Sequence, residues 1–251
     1  MLNQQTVQRL REMRLRGMAE ALLDQNNNSD VQSYTFEERL GLLVDHEYIS
    51  RQNRRLARLL KQARLRLPAS LEDIDYQQCR GLDRAFLHSL SSCEWIGTRL
   101  NCLISGATGT GKTFLCCALA NAACRHDLSA RYYRVSNLLT ELTAARGDGS
   151  YPRLIRQLSN YDLLVMDDWG LAPFKDFEGH DLLDVVEERH DRGSLIIASQ
   201  LPLENWHETL PDPTVADAIM DRIIHNSHRI SLTGPSMRKV TANKQTSSVT
   251  N

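Results

Sequence analysis

No stretch of this chain approaches 18 consecutive apolar residues, and its N-terminus has no signal-peptide apolar core. Nothing therefore reads as a bilayer-spanning helix or a secretory leader, and the expectation is a cytoplasmic protein with no membrane partner. The six cysteines (Cys79, Cys93, Cys102, Cys116, Cys117, Cys124) lack C-x-x-C spacing and paired histidines. That removes a zinc or disulfide framework and leaves reduced, mostly buried thiols. Acidic residues are missing altogether from Arg51 to Arg66, a run with seven basic ones. The net charge of −1 hides this asymmetry. Residues 1–67 carry twelve Lys/Arg against eight Asp/Glu, and the remainder eighteen against twenty-three. The contrast suggests two functional units. Otherwise the composition, 41% apolar and 24% charged over 251 residues, is ordinary for a soluble protein with one large domain and a smaller appendage.

What is present is organised around Gly106-Ala107-Thr108-Gly109-Thr110-Gly111-Lys112-Thr113, with Phe114 next in the chain. The stretch follows a short apolar run and leads into an Ala/Leu/Cys-rich helical segment. A Gly-x-x-x-x-Gly-Lys-Thr element between strand and helix is a phosphate-binding P-loop. Its glycines let consecutive amides turn inward toward phosphate oxygens, and the helix N-terminus adds to that field. Lys112 is placed for the β- and γ-phosphates, and Thr113 offers a hydroxyl to Mg²⁺. The ligand expected is a nucleoside triphosphate, ATP with Mg²⁺.

Residues 1–24 read as one or two short amphipathic helices, followed by a loop over Asn26–Asp30. Thr35 and Glu38 form a capping box that opens a long helix running to about Leu67, before Pro68. Leu40, Leu43, Val44, Tyr48, Leu56, Leu59, Leu60 and Ala63 give it an apolar stripe. Arg51, Arg54, Arg55, Arg58, Lys61 and Arg64 cover much of the rest and are candidates for DNA phosphate contact, with a partner-protein surface as the alternative. Residues 68–98 read as a connector with short helices, 99–240 as the nucleotide-binding domain and 241–251 as a polar, disordered tail. From Arg99 the pattern alternates: strands at 100–105, 131–135, 161–167, 194–199 and 229–232, and helices at 112–125, 136–145, 152–158, 182–192 and 215–226. Ser136 is expected to cap the second of these helices, and Arg146–Ser150 to be a loop. Continuous apolar strands between helices imply a parallel five-stranded sheet covered on both faces, an α/β fold preceded by a small all-helical part.

Leu163–Asp168 is an apolar strand ending in two carboxylates, 55 residues beyond Lys112. Asp167 is expected to hold Mg²⁺ and Asp168 to act as general base on the attacking water. Ser199 and Gln200 end another buried strand, and either could sense the γ-phosphate. Arg222 and Arg238 remain as arginines of the kind that stabilise phosphoryl transfer, often from a neighbouring subunit.

Read together, Gly106–Thr113, Leu164–Gly170, Ser199–Pro202 with Trp206, and Ala218–Asn226 running to Gly234–Arg238 resemble the AAA+ P-loop ATPases. More narrowly they are similar to the IstB/DnaC-like group, and the Ser-Gln-Leu-Pro…Trp pattern is closer to the IstB transposition helper than to the helicase loader. The resemblance implies Arg222 as an arginine finger acting in trans and Arg238 as the sensor-2 arginine. It implies no C-terminal helical lid, because few residues follow Arg238. It implies homo-oligomers on double-stranded DNA that recruit and stimulate a cognate transposase, with a DnaC-like helicase loader as the second reading and a small-molecule kinase as a distant third.

Overall fold

The computed structural model describes residues 2–28, 31, 33–76 and 81–237. Arg238, Cys79, the end of the Asn26–Asp30 loop and the tail over 241–251 lie outside the described residues. Contacts divide the chain into two compact units, residues 1–58 and 59–251.

In the first unit, α1 (Leu2–Glu12) and α2 (Arg16–Asn27) precede α3 (Phe36–Ala63), within which the boundary between units falls. The capping box forms as expected. Thr35 N donates to Glu38 Oε2 at 2.8 Å, and Glu38 N donates back to Thr35 Oγ1 at 3.3 Å. Gly17 lets α2 approach α3 closely, since a Cβ there would lie 2.9 Å from Glu47 Cα and from Ser50 Cβ. Glu47, only 5% exposed, seals this contact. Its carboxylate accepts from Met18 N at 3.1 Å and from Arg51 Nε at 2.6 Å. Burial pushes this carboxyl up, but Arg51 and the Met18 and Gly17 amides together hold it below the ordinary value.

Helix α3 stops at Ala63 rather than continuing to Leu67, because Arg64 takes a left-handed conformation (φ 49°). The apolar stripe expected along it is also only partly buried. Leu59 and Ala63 are in the core, whereas Leu40, Val44 and Tyr48 are exposed.

In the second unit α4 (Arg84–Ser91) and α5 (Glu94–Gly97) lead into the alternating array. The strands are β1 (Asn101–Gly106), β2 (Ala130–Arg134), β3 (Leu163–Trp169), β4 (Ser194–Ser199) and β5 (Ser227–Leu232). The helices between them are α6 (Lys112–Arg125), α7 (Val135–Asp148), α8 (Tyr151–Ser159), α9 (Asp176–Arg189) and α10 (Pro213–Ile224). Every pairing is parallel, in the order β2-β3-β4-β1-β5. Strands β1 to β4 are buried almost throughout, as continuous apolar runs require for a sheet covered on both faces, whereas β5, at the edge, buries only Ile230 and Leu232.

Two local expectations fail within α7. Ser136 is inside the helix, which starts directly at Val135 without a side-chain cap. Arg146–Asp148 continue the helix instead of looping, and Gly149 ends it at φ 77°. Arg146 is kept helical by its guanidinium, which binds the buried Asp181 on α9 at 2.6 Å and lies 3.8 Å from the Tyr151 ring centroid.

A parallel sheet gathers its strand C-termini along one edge. There Gly106 closes β1 at φ 149°, with its α-carbon so near the Leu232 carbonyl that a Cβ would collide with it. The loop after β4 is fixed by Trp206, fully buried and stacked on Trp169 at 6.0 Å, whose indole N–H donates to Leu201 O at 3.0 Å.

Candidate active site

The P-loop runs from the end of β1 into the first turn of α6, so its amides lie at the positive end of a 14-residue helix. Lys112 is the first residue of that helix and is 7% exposed. Its ammonium curls over the loop and donates to Gly106 O at 2.6 Å and Ala107 O at 2.9 Å. Thr110 is internal to the loop, with its hydroxyl on Ala107 O at 2.9 Å. Gly109 O accepts from Met237 N at 2.8 Å, which draws the end of the chain beyond β5 over the loop.

Pockets that hold small-molecule ligands run to about 300–1,000 Å³. The opening over this loop has about 610 Å³, lined by Thr108, Gly109, Gly111, Lys112, Thr113 and Phe114 from the loop and α6. Arg66, Leu67, Arg134, Asp168, Leu171, Gln200 and Met237 complete the wall.

Asp167 is fully buried at the back of the site. Its Oδ2 accepts from Thr113 Oγ1 and from Tyr132 Oη, both at 2.7 Å. Burial, then the neighbouring Asp167, raises the Tyr132 hydroxyl well above a free phenol, so it stays a donor. Thr113 and Asp167 present only oxygen donors, the ligand chemistry that suits Mg²⁺. Asp168 faces differently. It sits at φ 64°, where the pairing of β3 with β4 shifts register between Met166 and Trp169. This irregularity turns its carboxylate to Arg134 Nε at 2.9 Å, with Arg66 at 3.9 Å.

The two polar residues ending β4 part company. Ser199 is fully buried, donating to Trp169 O at 2.7 Å and accepting from Leu201 N at 3.1 Å. Gln200 lines the cavity, and its Oε1 accepts from Thr108 Oγ1 at 2.6 Å.

Arg222 is not in this cavity. It lies in the last turn of α10, donating to Ala218 O at 2.8 Å and to Glu187 at 3.3 Å. Its own carbonyl is 3.4 Å from the Asn101 amide at the start of β1. The P-loop follows the other end of that strand, six residues or roughly 20 Å away. Arg51, Arg54, Arg55 and Arg58 lie in the first unit, at spacings that place them on one exposed face of α3. Arg51 and Arg54 both reach Glu47, at 2.6 and 3.4 Å. Lys61 and Arg64 are exposed and belong to the second unit.

Three residues of the site carry no motif: Arg66, Tyr132 and Arg134. Tyr132 and Arg134 alternate on β2 and point toward the end of β3, where Arg134 pairs in register with Asp167. That period was visible, but not that β2 neighbours β3.

The family model for IstB-like ATP binding proteins matches residues 8–245. The chain belongs to this family. Similarity to the insertion sequence ATP-binding protein y4pL of Sinorhizobium fredii reaches 46% identity over 239 residues, 95% of this chain and 98% of that one. Among solved structures, that of DnaI superposes with a TM-score of 0.57 at 19% identity, over 70% of this chain and 94% of the other. The DnaC helicase loader gives 0.55 at 15%, over 66% and 97%. Those two likenesses establish a shared fold, the AAA+ P-loop core with a parallel five-stranded sheet. This IstB-like protein is accordingly a P-loop ATPase. Among the described residues, no helix is long and apolar enough to cross a membrane.

Proposed function

We propose that this IstB-like protein is an ATP-dependent DNA-binding ATPase that acts in the cytoplasm, oligomerises on duplex DNA and assists a cognate transposase in insertion-sequence transposition. The observation that carries the reading is the union of two features in one chain. One is the P-loop site backed by Asp167 and Asp168, and the other is a helix face bearing Arg51, Arg54, Arg55 and Arg58. The name of the Sinorhizobium relative, an insertion sequence ATP-binding protein, supplies the context.

In the ATP site, Lys112 releases the loop carbonyls to bind the β- and γ-phosphates, and Thr113 and Asp167 hold Mg²⁺, which supplies charge neutralisation to the phosphates. Asp168 orients and deprotonates the attacking water once the arginine hold on it is loosened. Gln200, rather than Ser199, senses the terminal phosphate, because only its side chain lines the cavity. Arg222 is too far from its own P-loop to act in cis and serves a neighbouring subunit's γ-phosphate. Arg238, outside the described residues, is assigned as a second phosphate-sensing arginine on the family resemblance alone.

The guanidinium face binds duplex phosphates, and each neutralised phosphate releases counterions, so retention should fall steeply with salt. The test is to size the protein on a duplex of about 50–60 base pairs, with and without a non-hydrolysable ATP analogue. Large nucleotide-dependent complexes, lost on charge reversal of Arg54, Arg55 and Arg58, are expected. Failure to retain any duplex at low salt sinks the proposal. The shared fold with the DnaC helicase loader favours one other reading, loading of a replicative helicase. Assembly on a helicase but not on duplex would select it.

A further inference from the structure

Arg66 is the last of the seven basic residues between Arg51 and Arg66, though not one of those read as candidates for DNA contact. Its surroundings place it apart from them. The last turn of α3 and the segment after it meet the ATPase core at three points. The Gln62 carbonyl accepts from Arg131 Nη1 on β2 at 3.0 Å. The backbone at Arg66 and Leu67 faces the thiol of Cys117, which lies on the same helix as Lys112 and Thr113. The side chain then turns into the cavity above the P-loop. Its guanidinium lies beside the Tyr132 hydroxyl, which itself donates to Asp167, and is 3.9 Å from Asp168 Oδ2. The Tyr132 contact and the two carboxylates keep it firmly protonated.

Among the described residues, Arg66 is thus the third cation on the cavity wall, with Lys112 and Arg134, and Asp168 is the single carboxylate lining it. Of the two arginines on Asp168, Arg134 holds at 2.9 Å and Arg66 at 3.9 Å. The Arg66 contact, a full ångström longer, is the weaker of the two and the one a competing anion would displace first. A terminal phosphate carries about two negative charges against one on a carboxylate, and its three oxygens suit the guanidinium fork.

We propose that Arg66 recognises the γ-phosphate in cis, exchanging Asp168 and Tyr132 for terminal phosphate oxygens when ATP enters, so that the site distinguishes ATP from ADP. No bond to phosphorus forms or breaks in this exchange. It leaves Asp168 with one guanidinium instead of two, which makes it more available to water only while a triphosphate is bound. The proposal rests on the P-loop being the ATP site.

The test measures affinities for fluorescent ATP and ADP analogues with Mg²⁺, on the full chain, for the wild type, Arg66→Ala, Arg66→Lys and Lys112→Ala. Arg66→Ala is expected to weaken ATP roughly 10- to 100-fold, the worth of one or two charge-assisted hydrogen bonds, and ADP by no more than about twofold. Arg66→Lys, which keeps the charge but loses the fork, should recover part of the difference and guards against a misfolded alanine variant. Equal losses for the two nucleotides, or none for either, overturn the proposal. A second arm measures duplex retention at saturating ATP analogue. Arg66→Ala should still be retained, and loss of duplex with an unchanged ATP-to-ADP ratio would put Arg66 on the DNA face. Lys112→Ala reports on the underlying site: if that variant binds ATP normally, the P-loop assignment itself has failed, whatever Arg66 does.

Discussion

Ser199 and Gln200 are adjacent, both polar and both at the end of β4, yet replacing them should break different things. Ser199→Ala removes a hydroxyl that donates to Trp169 O at 2.7 Å and accepts from Leu201 N at 3.1 Å, in a residue with no exposed surface. Water cannot replace either bond. Each orphaned backbone group costs about 1–3 kcal/mol, and a combined loss of about 2–4 kcal/mol is expected because the loop can relax somewhat. For a folding unit of this size, that lowers Tm by roughly 5–15 °C. Loosening is expected around Trp169 and Trp206, whose rings stack at 6.0 Å directly below the bond. Gln200→Ala removes an exposed bond to Thr108 Oγ1 and should change Tm by no more than about 2 °C. Its effect should fall on turnover, with kcat lower by roughly 10²-fold if the amide contacts the terminal phosphate in the transition state. Thermal melts and steady-state phosphate release on the same preparations separate the two. A Ser199→Ala protein that melts like the wild type but has lost its turnover would refute the assignment. So would a Gln200→Ala protein with undiminished kcat.

Asp168→Asn should leave ATP affinity within a few-fold while reducing hydrolysis by at least about 10²-fold, trapping the ATP-bound assembly. Single-turnover hydrolysis and equilibrium binding check this together, and near-normal hydrolysis would remove Asp168 as the base. Arg222→Ala should bind ATP normally as a monomer but lose about 10³-fold or more in assembled turnover. Mixing it with Lys112→Ala subunits should restore some hydrolysis, since each variant supplies what the other lacks. No recovery on mixing counts against action in trans. Gly17→Ala forces a methyl group to 2.9 Å from Glu47 Cα, so the first unit should lose about 1–3 kcal/mol. Amide exchange over residues 2–58 should quicken while β1, β3 and β4 stay protected, and uniform protection would show that the approach can relax at no cost.

The parts of the site that sequence reveals are those written in consecutive residues. Gly106 to Thr113 declares a phosphate loop because the same eight residues make the turn, aim the amides and start the helix, and β4 and α6 match their expected bounds for similar local reasons. The helix ends misjudged in α3 and α7 depend on distant partners. Arg146 stays helical because Asp181, 35 residues away, takes its guanidinium. Ser199 and Gln200 cannot be told apart by composition, because strand alternation places one against Trp169 and the other in the cavity only once the turn after β4 is set by Trp206. Arg66 is the sharpest case. In one dimension it only completes a run of seven basic residues, and charge counting assigns it no role of its own. The left-handed turn at Arg64 ends the helix two residues earlier, so Arg66 no longer shares the face of α3 and reaches Asp168 instead. A single backbone dihedral thereby moves one cation of the run from the helix surface to the wall of the P-loop cavity. Position in a charged run predicts a shared role only as far as the helix that presents it continues.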